Sequence, residues 1–216
     1  MAQPPVKRPW SKPRLTFRRL FGLDRSGPPP PQTLAGAPLN VWTIPNAIGL
    51  VRLALIPVLL VTGLSSDDGT DPLPAIIFAV IGWSDYADGI AARVTGQYSR
   101  FGALLDPVVD RLLVVSGLII CFNFELLPRW AIAVLVAREL YLLVAGRLAL
   151  RRGIELKINW WGRWGVWPTM SAIFFALCGL HTLAEILLYV GLALSLMAAV
   201  MYTRDAYVAR RAAPSS

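Results

Sequence analysis

The chain has 216 residues, of which 56% are hydrophobic and only 16% charged, and its formal net charge is +8. This composition is too apolar for an ordinary soluble domain. The apolar runs recur at lengths of about 20 residues, which is the length that spans a bilayer. The basic residues sit at the termini and in alternate loops, which is typical of membrane topology and not of a nucleic-acid-binding protein. The sequence therefore predicts an all-α, polytopic membrane bundle of about six transmembrane helices.

The N-terminal segment, residues 1–40, is rich in proline and in basic side chains. Such a segment cannot build a core, so we expect a mostly disordered cytoplasmic tail that is attracted to lipid headgroups. A secretory signal peptide does not fit, because no apolar stretch follows the charges. An organellar transit peptide fits the arginine bias but not the prolines. Residues 41–211 are predicted to form one transmembrane domain.

The spans of this domain are predicted near residues 47–64, 73–93, 101–122, 130–149, 165–181 and 184–203. Arginine and lysine concentrate on one side of this arrangement, and the opposite loops hold acidic residues, with Arg129 as their only strong base. Basic loops face the cytoplasm in membrane proteins. Both termini and the 94–100 turn are therefore predicted to be cytoplasmic, in a multi-pass protein of the inner cell membrane.

The first predicted span opens with the segment Trp42 to Asn46 and holds an arginine, Arg52. Pro45 suits the start of a helix, and Asn46 could cap the helix or hydrogen-bond inward. An arginine two turns into a span is costly and usually faces a polar interior. Two interpretations stay open. Arg52 either snorkels to the membrane interface, or it anchors an acidic site or a substrate phosphate.

Four aspartates occupy the next two spans, in the pattern Asp85-x2-Asp88-Gly89-x2-Ala92-Arg93-x8-Gly102-x3-Asp106-x3-Asp110. On helices, Asp85 and Asp88 share one face, and Asp106 and Asp110 share another. If the residues between the helices reverse the chain, the four carboxylates meet across a narrow gap and repel one another strongly. Divalent cations resolve that repulsion. Mg²⁺ or Mn²⁺ is favoured over zinc because no histidine or cysteine lies nearby.

Two features beside the aspartates affect this interpretation. Gly89 and Gly102 leave bare helix surfaces, where a ligand could lie against the backbone. The competing interpretation is a buried acidic cluster that is neutralised by arginines. Few arginines lie close in sequence, among them Arg93 and Arg111, which makes that cluster hard to neutralise.

The fourth predicted span contains Arg138 and Glu139, which are adjacent in sequence and therefore predicted to lie on different helix faces. Charges inside the membrane are candidates for function, although a salt bridge to neighbouring helices is the alternative. Basic residues at the end of this span and in the next loop can bind a phosphate, and Arg147 and Arg163 are the ones nearest to the spans. Arg138, Arg147 and Arg163 are therefore candidate acceptor-binding residues.

The aspartate pattern resembles the signature of the CDP-alcohol phosphatidyltransferases, D-x2-D-G-x2-A-R-x8-G-x3-D-x3-D, and matches it at every fixed position. The resemblance implies transfer of a phosphatidyl group from CDP-diacylglycerol to an alcohol acceptor, with release of CMP and with two Mg²⁺ or Mn²⁺ ions. It implies that Asp85, Asp88, Asp106 and Asp110 bind the metal, with Asp110 also acting as the general base. The donor-binding residues that it implies are Asp85, Gly89, Ala92, Arg93 and Gly102.

The acceptor is suggested by a narrower resemblance. The Arg138-Glu139 pair and the element Gly162-Arg163 resemble the phosphatidylglycerophosphate synthase branch, which implies glycerol 3-phosphate and a role in phospholipid biosynthesis. The Lys-Thr that follows in that branch is missing here. Cardiolipin synthesis from phosphatidylglycerol and phosphatidylinositol phosphate synthesis therefore stay open, as does a homodimer embedded in membrane lipids. A protein of another class, a cation-coupled transporter that uses the aspartates as an ion site, is a further alternative.

Overall fold

A computed structural model describes residues 39–151 and 160–212 of the chain. Within these ranges the protein is entirely helical. The helices are α1 (Ile44–Leu64), α2 (Pro72–Thr95), α3 (Arg100–Asn123), α4 (Arg129–Arg151), α5 (Trp160–Leu177) and α6 (His181–Ala212). The predicted all-α class is confirmed, and each predicted span overlaps one of these helices. The predicted disordered tail, apart from its last residues, lies outside the described part of the chain.

Among the residues that the structure describes, three helical stretches are long and apolar enough to cross a membrane, namely α1, α2 and residues His181–Arg204 of α6. A shorter apolar stretch, Val166–Leu177, lies in α5. Charged side chains inside α3 and α4 lower the hydropathy of those two helices. The protein is thus a helical membrane protein, while the six spans and the cytoplasmic position of the termini stay predictions.

The described residues divide into two compact units, one within residues 39–58 and 79–113 and the other within residues 59–78, 114–151 and 160–212. In the first unit, parts of α1, α2 and α3 bury Ile56, Ile81 and Val109. A Cβ atom placed on Gly49 would lie 2.9 Å from a methyl carbon of Leu105. The absence of a side chain at position 49 therefore lets α1 and α3 approach closely in this unit.

Hydrogen bonds at the helix ends fix the start of α1 and the turn between α2 and α3. Thr43 Oγ1 accepts the backbone N–H of Asn46 at 3.3 Å, and Ser99 Oγ accepts the backbone N–H of Gly102 at 2.9 Å. Both are bonds of the N-cap type, which satisfy donors that the first helical turn leaves free. Gly96 ends α2 with φ at 66°, a left-handed conformation that glycine adopts without strain. The predicted reversal of the chain between the aspartate-bearing helices is confirmed.

In the second unit, α6 packs against α5 and α4. Ile173 and Leu188 are fully buried there, and the rings of Trp130 and Tyr189 stack at a centroid distance of 5.8 Å.

In the loop between α1 and α2, the backbone N–H of Thr70 donates to the Asp68 carboxylate at 2.9 Å, which lowers the pKa of that carboxyl group. The loop therefore keeps its negative charge.

Candidate active site

The centre of the site is the guanidinium group of Arg52, which α1 carries into the first unit. Its Nη1 atom donates to Asp85 Oδ1 at 3.0 Å and to Asp88 Oδ2 at 2.9 Å, and its Nη2 atom donates to Asp110 Oδ1 at 2.8 Å. Its Nε atom donates to the carbonyl oxygen of Ile81 at 3.2 Å. Carboxylates from α2 and α3 thus lie close together, as the spacing of the aspartates predicted, and they converge on one buried cation, Arg52.

The fourth carboxylate, Asp106, lies near enough to Asp85 and Asp88 for their charges to interact. We call Asp85, Asp88, Asp106 and Asp110 the aspartate cluster. Its members differ in exposure, because the side chain of Asp88 is only 8% exposed while those of Asp85 and Asp110 are 44% and 47% exposed. Two of the carboxylates therefore remain accessible to a ligand while they are held by Arg52.

Of the two interpretations of Arg52, the one in which its side chain snorkels to the interface is wrong, since that side chain is only 1% exposed. The one in which it anchors the acidic site is confirmed. The competing interpretation of the aspartates as an ion-pair cluster considered only arginines close in sequence. It overlooked Arg52, which lies 33 residues before Asp85. Asp88 does form a buried ion pair with Arg52, and removing one member of such a pair is expected to be strongly destabilising.

The aspartate cluster fits a divalent cation in charge and in ligand type. Its four carboxylates outnumber the single guanidinium of Arg52 by three charges, and hard oxygen ligands are those that Mg²⁺ and Mn²⁺ prefer. As the side chains stand, no three carboxylate, imidazole or thiol groups in the described ranges are arranged to hold an ion. Three of the carboxylates instead point an oxygen at Arg52. A cation would therefore use carboxylate oxygens that Arg52 does not engage.

A cavity of about 220 Å³ opens beside the cluster. Its lining includes Asp88 and Asp106, and four of the five residues predicted to bind the donor, namely Gly89, Ala92, Arg93 and Gly102. The remaining predicted donor-binding residue, Asp85, is not part of the lining and is joined to the cluster through Arg52. The two helices of the sequence pattern thus form both the acidic cluster and a hollow next to it.

The two glycines of the pattern have different surroundings. A Cβ atom on Gly89 would meet only the guanidinium of Arg93, at 3.4 Å, which is the mobile end of a long side chain. A Cβ atom on Gly102 would lie 2.6 Å from Asn46 Oδ1 and 3.2 Å from Ser99 Oγ. The bare surface at Gly89 is therefore open toward the cavity. Gly102 is also required by the packing of the protein itself.

The residue that makes Gly102 necessary is Asn46, which is only 2% exposed. Its Nδ2 atom donates to the carbonyl oxygens of Asn40 at 2.9 Å and Val41 at 2.8 Å, and its Oδ1 atom accepts from Ser99 Oγ at 2.8 Å. Of the two roles that the sequence left open for Asn46, inward hydrogen bonding is the observed one. This side chain fastens the start of α1 to the turn before α3, and it was missed as a residue that shapes the site.

We expect Gly102→Ala to destabilise the protein by about 1–3 kcal/mol, because the added methyl group must displace the buried Asn46 amide. Gly82→Ala is the matched control, since its Cβ would meet only Leu113, at 4.0 Å. Thermal unfolding in detergent should show a lower midpoint for Gly102→Ala than for Gly82→Ala. Equal midpoints would show that the Asn46 network adjusts without cost.

The predicted acceptor residues lie in the second unit. Arg138 Nη1 donates to Glu139 Oε2 at 2.9 Å, and Arg138 Nε donates to the carbonyl oxygen of Ser195 at 3.1 Å. Adjacency in sequence places Arg138 and Glu139 about 100° apart around α4, and their long side chains nevertheless reach each other. Arg147 is exposed near the end of α4. Arg163 lies in α5, and its side chain is outside the described part of the structure, so the acceptor role of all three arginines stays a prediction.

Several known proteins are similar to this chain in sequence. A family model for the CDP-alcohol phosphatidyltransferases matches residues 42–197. A Bacillus subtilis protein named CDP-diacylglycerol--glycerol-3-phosphate 3-phosphatidyltransferase is 33% identical over 177 residues, which cover 76% of this chain and 90% of that protein. A cardiolipin synthase (CMP-forming) of Streptomyces coelicolor is 38% identical over 137 residues, covering 62% of this chain and 64% of the relative.

A third relative, a probable phosphatidylglycerophosphate synthase of Mycobacterium tuberculosis, is 29% identical over 193 residues, covering 86% of this chain and 91% of that protein. The region matched by the family model includes Arg52, the whole aspartate cluster and the cavity beside it. This agreement reaches well beyond the short aspartate pattern. The chain is therefore an enzyme of the CDP-alcohol phosphatidyltransferase family.

Proposed function

We propose that this enzyme transfers the phosphatidyl group of CDP-diacylglycerol to glycerol 3-phosphate, which yields phosphatidylglycerophosphate and CMP for phospholipid synthesis. The observation that carries the proposal is the convergence of Asp85, Asp88 and Asp110 on Arg52, beside a cavity bordered by the open face of Gly89. Such a site combines several acidic ligands with room for part of a donor. It suits a reaction in which a charged pyrophosphate is cleaved.

The aspartate cluster is proposed to hold two Mg²⁺ or Mn²⁺ ions, with Asp85, Asp88, Asp106 and Asp110 as the ligands. When bound, such ions neutralise the charge of a pyrophosphate and of its leaving group. The chain's own contribution is to supply the oxygen ligands and, through Arg52, to hold them together against their mutual repulsion. Gly89, Ala92, Arg93 and Gly102 line the hollow into which the nucleotide end of the donor is proposed to fit.

Asp110 is proposed to be the general base. Its side chain is 47% exposed, and only its Oδ1 atom is seen to accept from Arg52, so Oδ2 can face the acceptor. Asp110 would take the proton of the acceptor hydroxyl as that oxygen attacks the phosphorus that bears the lipid. A new phosphorus–oxygen bond forms, the bond between that phosphorus and the CMP oxygen breaks, and CMP leaves with the electron pair.

Glycerol 3-phosphate is favoured as the acceptor by the Bacillus subtilis relative, whose name specifies it and whose length the match covers to 90%. A second candidate acceptor, phosphatidylglycerol, is supported by the higher identity of 38% to the cardiolipin synthase, although that match covers only 64% of the relative. The basic side chains Arg138, Arg147 and Arg163 are proposed to recognise a phosphate of the acceptor. Such recognition favours a phosphorylated soluble acceptor, either glycerol 3-phosphate or inositol phosphate.

We further place the active site at the cytoplasmic face of the inner cell membrane. The turn between α2 and α3 is flanked by Arg93 and Arg100, and basic turns of membrane proteins face the cytoplasm. CDP-diacylglycerol would then enter from the lipid phase while a soluble acceptor arrives from the cytosol. The exposed apolar helix faces suit contact with membrane lipids or with a second copy of the chain in a homodimer.

The test is release of CMP from CDP-diacylglycerol by the purified protein in detergent, with glycerol 3-phosphate, phosphatidylglycerol and inositol phosphate offered in turn. We expect CMP with glycerol 3-phosphate only. Release of CMP with phosphatidylglycerol alone would identify a cardiolipin synthase. Release of CMP with inositol phosphate alone would identify a phosphatidylinositol phosphate synthase. A protein that releases no CMP but moves cations into vesicles would be a transporter instead.

Metal dependence is tested in the same assay. We expect CMP release to stop after chelation and to return with Mg²⁺ or Mn²⁺, because the cluster offers only oxygen ligands. Zinc should not restore the reaction, since no nitrogen or sulfur ligand adjoins the cluster in the pattern. Full activity after exhaustive chelation would contradict the metal assignment.

A further inference from the structure

Arg52 is bound more completely than a charge-balancing residue needs to be. Its Nε atom is fixed to the backbone of Ile81, and its two Nη atoms reach three carboxylates, while only 1% of the side chain is exposed. A guanidinium group keeps its proton in proteins, so the positive charge is permanent. The planar fork also fixes directions, because each nitrogen points its hydrogens along set lines. Arg52 is therefore a rigid cation at the centre of the aspartate cluster.

This rigid cation engages one oxygen of each carboxylate that it contacts, namely Oδ1 of Asp85, Oδ2 of Asp88 and Oδ1 of Asp110. Its bonds hold the three side chains in set positions when no other cation is present. The same charge repels any divalent ion that enters the cluster. Arg52 thus has two opposite effects, since it orders the ligands and weakens their attraction for metal.

We propose that Arg52 is a positioning residue that acts as a built-in counter-cation. It orders the carboxylates before the divalent ions bind, at the cost of a lower affinity for those ions, and it keeps Asp110 aimed at the acceptor. This inference rests on the proposed function, because it concerns the same metal site. It adds a residue of α1 that lies outside the aspartate pattern.

The two effects can be separated by substitution. Arg52→Gln removes the charge and most of the fork, whereas Arg52→Lys keeps the charge but replaces the fork by a single ammonium group. Arg129→Gln is the matched control, because Arg129 pairs with Glu125 at 3.0 Å on an exposed surface. Binding of Mn²⁺ to each variant is measured from the electron paramagnetic resonance signal of the free ion. The midpoint of thermal unfolding is measured with and without Mn²⁺, and the rate of CMP release is measured at saturating Mn²⁺.

For Arg52→Gln we expect Mn²⁺ to bind about tenfold or more tightly than to the wild type, because a like charge next to the site is gone. Its rate of CMP release should fall by about 10²-fold even at saturating Mn²⁺, because Asp110 is no longer aimed. Without Mn²⁺, its midpoint of thermal unfolding should be lower than that of the wild type. Addition of Mn²⁺ should raise this midpoint by more than it raises the wild-type midpoint. Arg129→Gln should match the wild type in Mn²⁺ affinity and in rate.

For Arg52→Lys we expect Mn²⁺ affinity close to that of the wild type together with a reduced rate. This variant decides the matter if Arg52→Gln does not fold in either condition. Wild-type rate in Arg52→Lys would overturn the positioning role. Unchanged or weaker Mn²⁺ binding by folded Arg52→Gln would overturn the counter-cation role. Failure of the proposed function looks different, because the wild type itself would then release no CMP.

Discussion

Replacing Asp110 with asparagine is expected to lower turnover by about 10²–10⁴-fold, the usual cost of losing a general base. Asparagine keeps the size of the side chain, and its Oδ1 atom can still accept the hydrogen bond that Asp110 takes from Arg52 at 2.8 Å. The amide nitrogen, however, has no lone pair that could accept the acceptor's proton. Donor and metal binding should therefore survive through the other three aspartates, while the chemical step fails. The measurement is CMP release and CDP-diacylglycerol binding across a Mg²⁺ titration.

Asp88→Asn is the comparison that gives this result its meaning. Asp88 is the most deeply buried of the carboxylates that contact Arg52, and it lines the cavity. Losing a metal ligand should weaken metal and donor binding together, so extra Mg²⁺ should recover part of the activity. If extra Mg²⁺ instead restores Asp110→Asn to nearly the wild-type rate, Asp110 is only a ligand and another group takes the proton.

The second large effect is expected from Gly89→Leu, which should abolish use of CDP-diacylglycerol while the protein still enters the membrane and purifies. Leucine is favourable in a membrane-spanning helix. The space beside Gly89 is open apart from the end of the Arg93 side chain, so a leucine there would extend into the cavity. The proposed donor site would then present a side chain where it otherwise offers only backbone. Direct binding of CDP-diacylglycerol to the purified variant is the measurement.

Two controls accompany Gly89→Leu. Gly82→Leu places the same side chain on the same helix, at a position that is not part of the cavity lining. It should insert and bind the donor. Gly89→Ala should have an intermediate effect, because its Cβ makes only an ordinary contact with Arg93 at 3.4 Å. Normal donor affinity in Gly89→Leu would mean that the bare surface serves helix packing alone.

The location of the acidic site could be predicted from the sequence because it depends on local geometry. The helical repeat places Asp85 and Asp88 on one face, and Asp106 and Asp110 on one face of the following helix. A short turn between two helices forces the chain back on itself, and Gly96 in the left-handed conformation marks where α2 ends. Spacing along a single helix pair therefore determined which carboxylates meet. The same pattern also identified the family.

What neutralises those carboxylates was decided by the tertiary structure. Arg52 contacts aspartates that lie 33, 36 and 58 residues away, and no local rule links residues at such separations. The cost of a charge inside a span indicated only that Arg52 needs a polar partner or a route to the interface. Which of the two it finds depends on how α1 packs in the first unit.

The glycines and the Arg138–Glu139 pair show the same division between local and tertiary information. Both Gly89 and Gly102 were recognised from the pattern, but only the fold places the Asn46 amide within 2.6 Å of a Cβ at position 102. For Arg138 and Glu139, the 100° step between neighbouring helix positions predicted different faces, and only the structure shows that the two long side chains still meet. The sequence by itself determined the helices, the aspartate cluster and the family. Only the tertiary structure decided which polar groups form hydrogen bonds with one another. Some of those bonds join residues that are far apart in sequence, and others depend on how far two long side chains extend.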